Sequence, residues 1–156
     1  MRTPLVLALM AAMLAGTPAF AENRVVKCNT GAARSAPSSG GPALVANVPR
    51  SMTPIDLGAV QFTDKKLGKS VIVEELAVLR NPVNGLTVIA RFVNCTKKPM
   101  VIQARSNFLD ANQLPTEAAS AWRTIFLSPL ATGVYQENSI KTTQVAAFYV
   151  ELRPNL

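Results

Sequence analysis

The stretch that decides the fold runs from Leu86 to Phe108 and reads LTVIARFVN, then CTKKP, then MVIQARSNF. It has the form of a strand, a polar turn and a second strand, which we expect to pair as a hairpin. Successive side chains of a strand point to opposite faces, so regular alternation predicts a half-buried strand. The second strand alternates an apolar set with a polar set: Met100, Ile102, Ala104 and Phe108 against Gln103, Arg105 and Asn107.

Short strands separated by turn residues occupy the chain on both sides of this stretch. A first strand is predicted at Ile55–Phe62, with Leu57 directed into the core, and another at Val71–Arg80, where helical spacing also fits but β-branched residues favour a strand. Further strands are predicted at 122–127, 134–140 and 143–153. Six or seven short strands with frequent turn signals predict an all-β, immunoglobulin-like antiparallel sandwich.

The first 21 residues have the pattern of a secretory signal peptide. Arg2 is followed by an unbroken apolar run from Leu5 to Leu14, and Ala19-Phe20-Ala21 is an A-x-A cleavage site. A bilayer-spanning helix needs about 20 apolar residues, so the run is short for an uncleaved anchor, which is the alternative. We therefore expect cleavage after Ala21, a periplasmic location and no transmembrane helix in the mature chain.

Residues 22–51 are predicted to be a flexible N-terminal segment, and residues 52–156 to be the sandwich domain. The segment from Thr30 to Pro49 is rich in glycine, proline and small alcohols and has no aromatic residue. Such a composition buries too little apolar surface to offset the entropy of ordering. The alternative is that Leu44, Val45, Ala46 and Val48 pair weakly with another strand.

The chain is basic, with 16 Lys and Arg against 9 Asp and Glu and a formal net charge of +7. The longest basic runs are the pairs Lys65-Lys66 and Lys97-Lys98, and such scattered charge usually marks a solvated surface. The alternative is weak association with an anionic cell wall or lipid surface, because net charge governs non-specific binding. No basic stripe with interleaved aromatic residues is present, so we expect no nucleic-acid partner.

Catalytic and metal-binding chemistry finds little support in the residue types. The chain has no histidine, which removes the commonest general base and a common metal ligand. A Ser-His-Asp triad is therefore impossible, and no sequence motif indicates a catalytic Ser-Lys pair. Glu74 and Glu75 are adjacent and are expected to face opposite sides of their strand. We predict no catalytic residues, no metal site and no cofactor.

Two cysteines, Cys28 and Cys95, are present. In an oxidising compartment an even number of cysteines favours a disulfide. A Cys28–Cys95 bridge would attach the N-terminal segment to one end of the sandwich and, in the chain-entropy model, would contribute on the order of 4 kcal/mol. An intermolecular bridge or two free thiols are the alternatives.

A candidate interaction surface is predicted on the polar face of the second central strand and around the single tryptophan. Its residues are Gln103, Arg105, Asn107, Trp122 and Arg123. Core packing is the more usual role for a tryptophan, but an indole beside a guanidinium is also a common binding anchor. Glu151 and Arg153 lie two apart in the last strand and are interpreted as a surface pair.

The segment from about Asn81 to Arg153, slightly under half of the chain, resembles the YcfL-like family of small bacterial envelope proteins. The resemblance rests on Phe92-Val93-Asn94 with Thr96, on Pro99 opening a strand that reaches Arg105 and Phe108, on Asp110–Pro115, on Trp122, on Ser128-Pro129, and on the final segment 148–153. It implies an immunoglobulin-like sandwich and supplies no catalytic residues. Family members are often lipoproteins, but this chain has no cysteine directly after its leader, so lipid anchoring is not carried over.

Three functional hypotheses follow. The first is a non-catalytic periplasmic binding or scaffold module that joins an envelope assembly or cell-wall machinery, with an envelope protein as partner. The second is a small-ligand or lipid carrier with an apolar pocket between its sheets. The third is a hydrolase of unusual type.

Overall fold

The computed structural model describes Cys28, residues 41–142 and residues 145–155. Signal residues 1–21 and most of the predicted flexible segment lie outside the described residues. The described residues form nine strands: β1 (Ala43–Leu44), β2 (Thr53–Pro54), β3 (Val60–Phe62), β4 (Val71–Arg80), β5 (Leu86–Asn94), β6 (Met100–Leu109), β7 (Arg123–Leu127), β8 (Thr132–Asn138) and β9 (Ala147–Pro154). Leu57–Ala59 and Leu67–Lys69 are single turns of 3-10 helix.

The strands build two sheets that face each other. Sheet A has the order β1-β9-β6-β7, with β3 also pairing to β9, and sheet B has the order β2-β4-β5-β8. All pairs are antiparallel except β3–β9, which is parallel. The prediction of an all-β sandwich is confirmed. Six strands are five residues or longer, and the excess over the predicted six or seven comes from β1, β2 and β3, which are two or three residues long.

The core lies between the sheets and is made by the inward side chains of alternating strands. On β6 the predicted apolar residues Ile102, Ala104 and Phe108 are buried. β5 contributes alternate positions from Leu86 to Phe92, and β9 contributes Phe148, Val150 and Leu152. Burial of this apolar surface is the main stabilising term for the sandwich.

The predicted hairpin of β5 with β6 is wrong. β5 pairs with β4 and β8 in sheet B, whereas β6 pairs with β7 and β9 in sheet A. Residues 95–99 therefore cross from one layer to the other. Asn94 holds this crossing, because its buried side-chain amide donates to the carbonyls of Lys98 (2.7 Å) and Ser128 (3.1 Å).

The predicted first strand, Ile55–Phe62, is a strand only in its second half. The Asp56 side chain accepts a hydrogen bond from the Gly58 backbone, which caps the 3-10 turn Leu57–Ala59. The turn leaves the Leu57 side chain 44% exposed, so its predicted core role is wrong. Ala59 and Val60, which follow Leu57, are buried.

The described end of segment 22–51 contributes to the fold, although this segment was predicted to be a flexible linker. Ala43 and Leu44 pair with Phe148 and Ala147 of β9, and Val45 is 1% exposed within the core. The Arg80 guanidinium donates to the carbonyl of Val45. Pairing with β9 and burial of Val45 explain why this short apolar run is ordered despite its glycine- and proline-rich surroundings.

The expectation that Glu74 and Glu75 face opposite sides of β4 is wrong. A β-bulge shifts the register between Val73 and Glu75. Such a bulge breaks the simple alternation of side chains. Both carboxylates consequently reach Arg91 of β5, at 3.1 Å and 3.3 Å.

Candidate functional site

The outer face of sheet A gathers most of the residues predicted for an interaction surface. The β6 side chains Gln103, Arg105 and Asn107 point away from the core, between neighbouring side chains of β7 and β9. Trp122 immediately precedes β7 on the same face. We call the following set the Trp122 face: Gln103, Arg105, Asn107, Trp122, Glu151 and Arg153.

Trp122 contacts two guanidinium groups. The Cζ atom of Arg153 lies 3.9 Å from the ring centroid and that of Arg105 lies 4.5 Å away. Both distances are well within the range of a cation–π interaction. The indole is half-buried on the outside of the sheet, and it therefore organises surface residues in place of the core role that is more usual for tryptophan.

The two arginines differ in how their charges are balanced. Arg105 pairs with Glu151, whose carboxylate also accepts from the Asn107 amide at 3.1 Å. Arg153 donates through Nε to the neutral Gln103 side chain at 2.9 Å. Among the described residues no carboxylate pairs with Arg153, so its charge is oriented but not neutralised.

The segment before β7 is held in place by hydrogen bonds to β6. The Ser106 backbone N–H donates to the Ser120 hydroxyl at 2.9 Å, and the Ser120 N–H donates to the Ser106 carbonyl at 2.9 Å. Thr116 makes a further backbone bond to Phe108. These contacts extend the β6–β7 pairing and place Trp122 beside Arg105.

An exposed aromatic residue extends this surface towards the far end of β7. Phe126 is 78% exposed and lies opposite Val101 of β6, on the same face as Thr124 and Gln103. Aromatic and arginine side chains are enriched in protein interfaces. The Trp122 face and Phe126 together therefore have the composition of a protein-binding surface.

Arg123 does not join this face. Its Nε donates to the Glu137 carboxylate of β8 at 2.8 Å, and this interaction with Glu137 raises the pKa of Arg123. The pair connects the edge of sheet A to the edge of sheet B. The position of Arg123 suits a structural role, so the predicted surface divides into four residues that meet and one that lies apart.

Arg153 and Glu151 were missed as members of the site. The sequence interpretation paired them with each other, whereas Glu151 contacts Arg105 and Arg153 contacts Trp122 and Gln103. The alternation along the last strand could show that both residues share an outer face. The register of β9 against β6, which places Arg105 opposite Glu151, could not be read from either strand alone.

The two cysteines form an intrachain disulfide, with their Cα atoms 5.4 Å apart. Cys95 begins the crossing between the sheets, at the opposite end of the sandwich from residues 81–85. The bridge spans 67 positions of sequence, and in the chain-entropy model a loop of this size contributes about 4 kcal/mol.

A second polar cluster lies inside the sandwich. The hydroxyls of Tyr135 (sheet B) and Ser106 (sheet A) are 3.0 Å apart, and both residues are almost fully buried. Burial raises the pKa of Tyr135, so its hydroxyl is protonated at neutral pH. The pair links the two sheets and has no access to a ligand from solvent.

The carrier hypothesis expects an apolar pocket between the sheets. A depression of about 400 Å3 is present, but it is open to solvent and is lined chiefly by residues 44–49 with Thr53, Ala111 and Ala146. It therefore lies at one end of the sandwich, beside β1. This position does not match the enclosed site that a carrier of this kind requires.

A metal site is not found in the part of the chain that the structure describes, because no group of three His, Cys, Asp or Glu residues there is placed to hold a metal ion. No helix in this part is long and apolar enough to cross a membrane.

Comparison with solved structures identifies proteins of similar fold. The Campylobacter jejuni protein cj0090 is 12% identical, with a TM-score of 0.51 over 62% of this chain and 98% of its own. A DUF1425 family member from Shewanella sp. pv-4 is 16% identical, with a TM-score of 0.49 over 75% of this chain and 98% of its own. No family model and no curated protein matches the chain. The likeness to cj0090 shows that the two proteins share a fold.

Proposed function

We propose that this protein is a non-catalytic binding module of the bacterial envelope, of the YcfL-like type, that recognises an envelope protein through the Trp122 face. The observation that carries the proposal is the arrangement of Trp122 with two arginines on the outside of sheet A. Trp and Arg are the residue types that most often dominate binding energy in protein interfaces. Their geometry here is set before any partner arrives.

The charge on Arg153 indicates what the partner supplies. Its guanidinium is held by Gln103 and Trp122, and it has no carboxylate partner among the described residues. A planar guanidinium with free N–H groups suits a carboxylate, which it can bind in a bidentate manner. We expect the partner to place an acidic side chain over Arg153 and an apolar side chain against Phe126.

The location and the absence of catalysis are parts of the same proposal. The leader at residues 1–21 supports export and cleavage after Ala21, and the Cys28–Cys95 disulfide is typical of an oxidising compartment. The lack of histidine supports a binding role over catalysis. Fractionation of cells that express the full chain should recover the processed protein in the periplasm, and recovery of the intact precursor in the cytosol would refute this part.

The binding role can be tested by photo-crosslinking in intact cells. A photoreactive phenylalanine analogue replaces Phe126 on sheet A, and in a matched control it replaces Val134, which is 60% exposed on the outer face of sheet B. We expect one discrete envelope-protein adduct from position 126 and none of the same mass from position 134.

The contribution of the Trp122 face is tested by adding Arg153→Gln or Trp122→Ala to the position-126 variant. Arg153→Gln removes the free charge and retains a hydrogen-bonding side chain. We expect either substitution to reduce the adduct by about tenfold, as for loss of an interface hot spot. Equal yields with and without these substitutions would show that the face does not bind the partner.

A further inference from the structure

The end of the sandwich that carries the disulfide has an uneven charge. Three connections meet there: residues 63–70 before β4, residues 95–99 between β5 and β6, and residues 128–131 between β7 and β8. They contain five lysines and a single acidic residue, Asp64. The five lysines are exposed, and they are Lys65, Lys66, Lys69, Lys97 and Lys98.

Backbone hydrogen bonds hold these connections against one another. The Cys95 N–H donates to the Ser70 carbonyl at 2.8 Å, and the Leu130 N–H donates to the Thr96 carbonyl at 3.1 Å. The two lysine pairs that are 32 positions apart in the sequence therefore share one surface. We call residues 63–70, 95–99 and 128–131 together the lysine end.

The charge of the lysine end is not balanced within the described residues. All ion pairs among the described residues join an arginine to a glutamate, and none of them includes one of these five lysines. The Asp64 carboxylate accepts from the Lys66 backbone N–H and so acts as a turn cap. The opposite end, formed by 45–52, 81–85, 110–121, 139–142 and 145–146, has two basic and two acidic residues. Among the described residues the basic excess therefore lies at the lysine end.

Leu130 adds an apolar group to this surface. It is 59% exposed and has a φ of 54°, in the left-handed region that a leucine rarely adopts. Backbone strain of this kind is often retained where a side chain has a function. Here it holds a leucine side chain out into solvent, next to the turn that carries Lys97 and Lys98.

We propose that the lysine end docks on an anionic phospholipid bilayer. Basic side chains are attracted to acidic headgroups, and a neighbouring apolar side chain enters the boundary between headgroups and acyl chains. An anionic polymer would use the lysines but would gain nothing from Leu130, which is why the observations favour a bilayer. Docking by this end leaves the Trp122 face, on the side of the sandwich, free for a protein partner.

The test uses the exported chain with its disulfide intact and measures cosedimentation with vesicles. We expect binding to phosphatidylcholine vesicles that contain roughly one-third phosphatidylglycerol, and none to phosphatidylcholine alone. Each lysine near such a surface contributes about fivefold to affinity, so Lys97→Gln with Lys98→Gln should weaken binding by about 25-fold. The matched control, Arg50→Gln with Lys141→Gln at the opposite end, should leave binding unchanged.

The apolar contribution is tested with Leu130→Asn, because asparagine tolerates the left-handed conformation and the variant should fold. We expect vesicle binding about fivefold weaker, with unchanged binding to dextran sulfate, a soluble polyanion. Val83→Asn, at the opposite end, is the control. Loss of dextran sulfate binding on lysine replacement without any effect of Leu130→Asn on vesicles would identify a polyanion site and overturn the proposal. The proposal would also be overturned if Lys97→Gln with Lys98→Gln and the control Arg50→Gln with Lys141→Gln weakened vesicle binding equally.

Discussion

The hydrogen bond between Tyr135 and Ser106 offers a quantitative test of how the two sheets are joined. Tyr135→Phe removes one hydroxyl and leaves the Ser106 hydroxyl, which is 0% exposed, without a side-chain partner. An unsatisfied buried hydroxyl costs about 2 kcal/mol. Ser106→Ala should cost about 1 kcal/mol, because the Tyr135 hydroxyl still lies 3.5 Å from the Ser120 hydroxyl.

The double variant distinguishes this explanation from a simple loss of packing. With both hydroxyls gone, no buried group is left unsatisfied there, since the Ser120 hydroxyl keeps its bond from the Ser106 N–H. The double variant should therefore lose only about 1 kcal/mol, which makes the coupling energy about 2 kcal/mol. Tyr149→Phe is the matched control on the outer face and should be close to neutral.

Urea unfolding followed by the fluorescence of Trp122, the single tryptophan, measures these free energies. With a denaturant slope of about 2 kcal/mol per molar, Tyr135→Phe should lower the midpoint by about 1 M. Additive effects of the two substitutions would refute the argument, because they would mean that the hydroxyls stabilise the fold independently.

Three other outcomes are expected. Gly133→Ala should destabilise the protein by about 2 kcal/mol, because a Cβ there would lie 2.8 Å from the Ile125 methyl and would also strike Leu127; an unchanged urea midpoint would contradict this. Leu130→Gly should raise the free energy of unfolding by about 1 kcal/mol through relief of backbone strain, while weakening vesicle binding; a loss of stability would argue against strain. Burial raises the pKa of Tyr135 above its value in the unfolded chain. The contribution of the Tyr135 hydroxyl to the free energy of unfolding should therefore be complete below about pH 10 and be lost as pH rises through the folded pKa. The stability difference between the unsubstituted protein and Tyr135→Phe should thus narrow in alkali, and a constant difference would count against this.

The longer strands could be predicted because the alternation of apolar and polar residues along each strand indicates which side chains are buried. Val71–Arg80 was predicted with the bounds observed. β6 buries Ile102, Ala104 and Phe108, as its alternation indicated, and Met100 is partly buried against the core. Pairing by Leu44 was only the alternative to a flexible segment, and β2 was not predicted, because a strand of two residues depends on the neighbour with which it pairs. The pattern 95–99 indicated a turn, but it could not indicate whether the chain returned within one sheet or crossed to the other.

The candidate site was predictable to the same extent. Outward-facing Gln103, Arg105 and Asn107 followed from the period of the strand. The contact of Arg153 with Trp122 depends on the register of three strands. The gathering of two distant lysine pairs at one end depends on topology, so the sequence suggested scattered charge. Interactions set by tertiary pairing are those that a local pattern does not contain.

The position of β9 has a consequence for the order of assembly. This strand is the partner of β1, β3 and β6, and it follows all three in the chain. A nascent polypeptide that ends before Ala147 lacks the strand with which β1 and β3 pair, so sheet A cannot be completed until β9 has left the ribosome. For the export proposed above, such a delay would keep the polypeptide unfolded until it reaches the translocation channel.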